Sequence, residues 1–129
     1  MVQIPLVGMS KLTVRTSDTS LAHGSNDLQS ISPSVLTTLA EGAVQAALNE
    51  KLGSGESSIT TRLHLEISDI AGVGSELFAS AKSTQHHGGN YHFDIAISHD
   101  DTIIAQGEIV RKVIDRVTMS AKIAARSRR

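Results

Sequence analysis

Residues 32–53 restrict the fold more than any other segment. Ser32 suits a helix N-cap, Pro33 suits the first helical position, and Gly53 suits the stop. Between them lie about 20 residues, or about 30 Å of helix. Val35, Leu36, Leu39, Ala43, Ala46, Ala47 and Leu52 give one apolar side. Ser34, Thr38, Glu41, Gln45 and Asn49 fall at helical steps and form one polar stripe. The apolar side is rich in small residues, with Gly42 beside Ala43, so the helix can lie close against a flat partner. A sheet is the natural one.

The rest of the chain supplies that sheet. Lys11–Thr16 alternates polar and apolar and predicts a short strand, and Ser17–Ser30 predicts a polar loop. After Gly53 the period becomes two. Ile59, Thr61, Leu63, Leu65 and Ile67 share one expected strand face, with Arg62, His64 and Glu66 on the other. Gly72 and Gly74 mark a bend. Leu77–Gln85 predicts a second long strand, and His86–Asn90 a hairpin loop. Tyr91, Phe93, Ile95 and Ile97 line a third strand. His99–Asp101 is the next turn, and Ile103, Ala105, Gly107, Ile109 and Val113 line a fourth. The expected class is α+β: one long central helix wrapped by a curved antiparallel sheet. A flat open sheet with the helix on one side is the second choice. At 129 residues the chain is expected to be a single domain, 1–129.

Charge and composition exclude several functions. Twelve Lys and Arg against thirteen Asp and Glu give a net charge of −1, which argues against nucleic-acid binding. Residues 115–129 form a basic C-terminal tail, expected to be frayed and solvated, or else a phosphate-attracting edge. No apolar run approaches 18 residues, so no membrane span is expected. There is no cysteine, hence no disulfide, thiolate chemistry or Cys-bound zinc. The opening MVQIPLVGMSK does not read as a secretory leader, and a cytoplasmic location is expected.

Four stretches carry a family resemblance. They are VRTSDTSLAHGSNDL (14–28), SPSVLTTLAEGAVQAAL (32–48), TRLHLEISDIAGVGS (61–75) and AQGEIVRKVIDRVTMSAKIAAR (105–126). In this order the chain resembles the hotdog-fold thioesterases, in the fluoroacetyl-CoA thioesterase-like branch. The resemblance implies a hotdog fold and an acyl-CoA or acyl-carrier thioester as ligand, with thioester hydrolysis as the reaction. It implies no cofactor beyond the CoA of the substrate, and a homodimer or tetramer with clefts between protomers. In that family a hydroxyl at the helix start, a helix Glu and a His on the following strand form the catalytic set. Glu41 matches the Glu. The hydroxyl position falls on Pro33, flanked by Ser32 and Ser34, and the His position is occupied by Ile67. Glu41, Ser32 and Ser34 are thus the candidate catalytic residues. Asn26, Ile67, Gly72 and Arg111 are the candidate substrate-binding residues.

Ile67 can neither orient nor exchange a proton, which keeps a second reading open: a non-catalytic thioester-binding or assembly module. His64 points to the other face of the same strand and does not replace the missing His. Asp18 and His23, five apart, give a third reading, since the spacing resembles the R-specific enoyl-CoA hydratases. His86 and His87 precede two glycines and have no clustered carboxylates, so no metal role is expected. His92 is expected at the surface or an interface. Arg111 shares a face with Ile109 and Val113, where a charge is costly unless paired. It either reaches water at the strand end or meets Glu41, Glu108 or the phosphates of CoA.

Overall fold

A computed structural model describes residues 5–127. The first strand, β1, is Val7–Thr13, followed by a 3-10 turn at Thr16–Asp18 and a one-turn helix α1, Ser20–His23. The long helix α2 is Pro33–Leu48. Four strands follow: β2 Glu56–Ile67, β3 Glu76–His87, β4 Asn90–His99 and β5 Thr102–Asp115. A last helix α3, Arg116–Arg126, closes the chain. The five strands make one antiparallel sheet in the order β1-β3-β4-β5-β2. The sheet curls around α2, as the hotdog resemblance implies.

Leu36, Leu39, Ala40, Ala43, Val44, Ala47 and Leu48 of α2 are buried against Leu77, Ala79, Ala81, Phe93, Ile95 and Ile97 of the sheet. The helix packs mainly over β1 and β3. Gly8 makes this approach possible, because a Cβ there would run into the Ala43 carbonyl and the Ala47 backbone. Backbone cannot swing aside as a side chain can. Gly8→Ala is therefore expected to lower stability by about 3 kcal/mol, the upper range for overpacking, measured by urea unfolding. Gly107 of β5 serves a different close approach, that of the paired strand β2, where a Cβ would strike the His64 carbonyl.

Several elements differ from the sequence reading. β1 starts at Val7 rather than Lys11 and stops at Thr13, because Val14 leaves the ladder to bond the Gly72–Ser75 turn. Helix α2 ends at Leu48, not residue 52. Lys51 and Leu52 donate back to the Leu48 carbonyl and close it with a turn. The expected frayed tail instead forms α3, capped by the Asp115 carboxylate on the Thr118 N–H at 2.8 Å. That bond holds the Asp115 carboxyl below its ordinary value. Arg128 and Arg129 of the expected basic tail lie outside the described residues.

Three strand pairs carry a register shift; besides the one between Ser83 and Gln85 in β3, two reassign faces in β2 and β5. The β2/β5 register shifts between Thr60 and Arg62. An extra residue reverses the in/out alternation of everything before it. Ile59 therefore lies on the face opposite Leu63, and Thr60 takes the helix side. The β4/β5 shift between Ile97 and Ser98 does the same to β5, burying Ile104 and leaving Ile103 half exposed. No described helix is long and apolar enough to cross a membrane.

Candidate functional site

Because α2 sits over β1 and β3, its polar flank faces β5, and β2 beyond it is left largely uncovered. Two groups of polar side chains lie along that flank.

The first is centred on Arg111. In register Arg111 stands between Tyr91 of β4 and Thr60 of β2, on the side facing the helix. Its side chain is 8% exposed and that of Glu41 is 31% exposed. Arg111 Nη2 lies 3.0 Å from Glu41 Oε1, and Nε lies 3.4 Å from the same oxygen. Nη1 donates to Gln45 Oε1 at 3.1 Å and to Ser58 Oγ at 2.9 Å, and Nη2 also reaches the Glu41 carbonyl. A guanidinium has five N–H donors, and this one spends them all on protein groups. Arg111 thus holds Glu41 rather than offering itself to CoA phosphates. The Thr60 hydroxyl, 2.8 and 2.9 Å from the two Glu41 oxygens, completes the clamp. Oε2 takes nothing but a share of that one hydroxyl and is the part of the carboxylate free to act on a ligand.

The second group is at the start of α2. The buried Ser32 hydroxyl caps the helix on the Ser34 N–H, and the two serine oxygens are 2.9 Å apart. Ser34 Oγ is 2.9 Å from His23 Nδ1, and His23 Nε2 is 3.0 Å from the Ser17 carbonyl. Gly72 bridges Ser30 just before this cap, and Asn26 closes a turn by accepting from the Leu28 N–H. Asp18 does not bond His23. Its carboxylate takes the Arg15 N–H at 2.9 Å and Arg15 Nε at 3.3 Å, which leaves the hydratase-like pairing without a geometric basis.

The Arg15 backbone N–H is the main cause holding the Asp18 carboxyl below its ordinary value of 3.8. Burial opposes it, and the Arg15 side chain and the charge of His23 add to it. A lowered folded value contributes stability above the unfolded value and loses it as pH falls through the folded one. Wild type is therefore expected to be more stable than Asp18→Asn at about pH 6, with the gap closing progressively as pH falls below the ordinary carboxylate value of 3.8. Thermal unfolding across that range checks this.

Ile67 is not beside Glu41. Thr60 touches Glu41, and Ile67 lies about 20 Å farther along β2. Ile67 and Leu63 are each 42% exposed, on the uncovered stretch. The larger concavities of the described residues lie elsewhere. One of about 430 Å³ is lined by Ser80, Asp94 and Gln106, and one of about 600 Å³ by Ala46, Ala47 and Lys51. Among the described residues no group of three His, Asp or Glu is placed to hold a metal ion.

The Glu41–Arg111 contact was one of the pairings open in the sequence. Thr60 was missed because the bulge beside it changes its face. Ser34–His23 was missed because eleven residues and a loop separate the two.

Residues 14–117 match the family described as fluoroacetyl-CoA-specific thioesterase, FlK. No curated protein matches the chain. Among solved structures, the fluoroacetyl-CoA thioesterase FlK superposes with a TM-score of 0.88 at 16% identity, covering 99% of each chain. A Thermus thermophilus hypothetical protein, a thioesterase superfamily member, gives 0.88 at 12% identity, covering 97% of this chain and 93% of that one. A hot-dog-like protein from Thermanaerovibrio acidaminovorans gives 0.86 at 17%, covering 98% and 94%. Likeness at these identities establishes the hotdog fold.

Proposed function

The chain belongs to the fluoroacetyl-CoA-specific thioesterase family, and we propose that it binds an acyl-CoA or acyl-carrier thioester along the polar flank of α2 and hydrolyses it. One observation carries the reading: a carboxylate, Glu41, fixed by a buried arginine and a threonine, part exposed and with one oxygen that meets only a share of the Thr60 hydroxyl. Such a group orients and polarises the water that hydrolysis consumes. The hydroxyl-bearing start of α2, with Ser32 and Ser34, meets the acyl end of the thioester. Hydrolysis is redox-neutral and asks for no cofactor beyond the CoA of the substrate.

In this reading Arg111 is a positioning residue, and Ile67, Gly72 and Asn26 border the ligand. A homodimer, alone or paired into a tetramer, belongs to the same proposal, as does a cytoplasmic location. β2 is an edge strand, and Leu63 and Ile67 stand half exposed on its helix side. An unpaired edge beside an uncovered apolar stretch favours a second copy. A two-fold partner would also supply the far wall that one chain lacks opposite Glu41. Light scattering at micromolar concentration is expected to give twice the chain mass or four times it; a stable monomer would count against the cleft.

The reading is tested by following thiol release from a panel of short and medium acyl-CoAs. Steady release above the uncatalysed rate supports hydrolysis. CoA binding with no release supports the non-catalytic alternative, which Ile67 at the family's His position favours.

A further inference from the structure

We propose that Ser34 is an activated nucleophile that accepts the acyl group, with His23 as its base. This rests on the thioester-hydrolysing reading and names the groups that perform its first step. The chain has no imidazole at Ile67, yet it builds one against the helix start from the opposite direction, out of the loop that precedes α2.

The directions of the hydrogen bonds follow from what each atom can do. The Ser17 carbonyl only accepts, so His23 Nε2 carries the ring hydrogen. In the neutral ring Nδ1 is then the bare nitrogen, and it accepts from the Ser34 hydroxyl at 2.9 Å. With the Ser34 hydrogen directed to His23, the Ser32 hydroxyl donates to Ser34 Oγ at 2.9 Å. Ser34 thus has a base on one side and a donor on the other that stabilises charge developing on its oxygen. The base is fixed by a third group, which is the arrangement an activated hydroxyl needs.

The loop is built to hold this geometry. Among the described residues, the buried polar and charged side chains are Asp18, Thr19, Ser20, Ser32 and Arg111. All but Arg111 lie between residues 18 and 32. Polar groups are costly to bury without partners, and these have them. Thr19 Oγ1 caps α1 on the Ala22 N–H, the Asp18 carbonyl takes the Ser32 N–H, and the Ser30 carbonyl takes the Ser20 N–H. Gly24, at φ 77, ends α1 directly after His23 and turns the chain away. Both Ser34 and His23 remain exposed, so a ligand can reach them.

The chemistry balances without another reagent. Ser34 Oγ attacks the thioester carbonyl carbon as its proton passes to His23 Nδ1. The C–S bond breaks with its electron pair on sulfur, which takes that proton and leaves as the free thiol. The acyl group remains as an ester on Ser34. Water then attacks the ester, its proton moves through Nδ1 to the departing Ser34 Oγ, and the carboxylic acid is released.

The test uses the full chain and two reagents. A fluorophosphonate probe reports serine reactivity without any thioester. Acetyl-CoA, quenched rapidly in acid, reports acyl transfer. Both products are mapped by peptide mass spectrometry in wild type, Ser34→Ala and His23→Asn. Asparagine can keep a hydrogen bond to Ser34 but cannot take its proton. The expected result is probe and acetyl group on Ser34 in wild type. In His23→Asn, both reactions should slow about 10²–10⁴-fold, with a melting temperature close to wild type. A Ser34 that stays unmodified overturns the pair, as does labelling at the wild-type rate in His23→Asn. Thiol release that persists in Ser34→Ala at the wild-type rate overturns this inference and leaves the thioesterase reading standing. Probe on Ser34 with no thioester cleaved upholds the pair and overturns the thioesterase reading instead.

Discussion

Glu41→Gln is expected to lower thiol release from acyl-CoA by about 10²–10⁴-fold, the usual contribution of a positioned acid–base group. Glutamine preserves the shape of the clamp. Its amide oxygen still accepts from Arg111 and Thr60, which in wild type bond Glu41 Oε1 at 3.0 and 2.8 Å. What it loses is the negative charge that polarises water. The loss should therefore appear in kcat rather than KM of the folded variant, and the melting temperature should fall as well, because the nearly buried Arg111 keeps its charge without the carboxylate that neutralised it. Unchanged turnover would remove Glu41 from the mechanism and reduce it to a partner that neutralises Arg111.

The second large effect is expected at Arg111. Arg111→Ala removes all five guanidinium contacts at once. Breaking a fully buried ion pair costs about 3–5 kcal/mol. Here the Glu41 side chain keeps 31% exposure and water can solvate what is left, so about 2 kcal/mol is expected. For a chain of this size that is a fall of about 6–10 °C in melting temperature. Activity should fall with it, because Glu41 is no longer held from behind. Arg111→Lys keeps the charge but not the fork. It is expected to recover part of the stability and less of the activity, since one ammonium nitrogen with three N–H groups replaces a planar fork with five.

How far the sequence disclosed this arrangement depended on the length of the pattern involved. Helix α2 was legible from its cap, its Pro33 and its two faces. Its end was not, since Asn49 prolongs the polar stripe and Leu52 the apolar side past the turn that closes the helix at Leu48. The strands were legible from alternation, but the bulges were not. One unpaired residue in β2 and another in β5 move Thr60 and Ile104 to the inside, and nothing in the residue types there announces it. Helix α3 was hidden behind the basic charge of residues 115–129, although it is two-faced and Asp115 is a sound N-cap. Within the site, Arg111 on an apolar strand face called for a partner, and Glu41 was among the few available. The contact of His23 with Ser34 depends on the three-dimensional path of residues 15–32. Local spacing pointed instead to Asp18.

The account turns on where the acyl carbonyl of a bound thioester lies. A crystal structure with a ketone analogue of acetyl-CoA, in which a methylene replaces the thioester sulfur, would show this directly. The prediction is a carbonyl over the polar flank of α2 between Ser34 and Glu41, with β2 of a second copy as the facing wall. An analogue seated on the outer sheet face near Ser80 and Asp94 would contradict the account, as would one with its carbonyl remote from both Ser34 and Glu41.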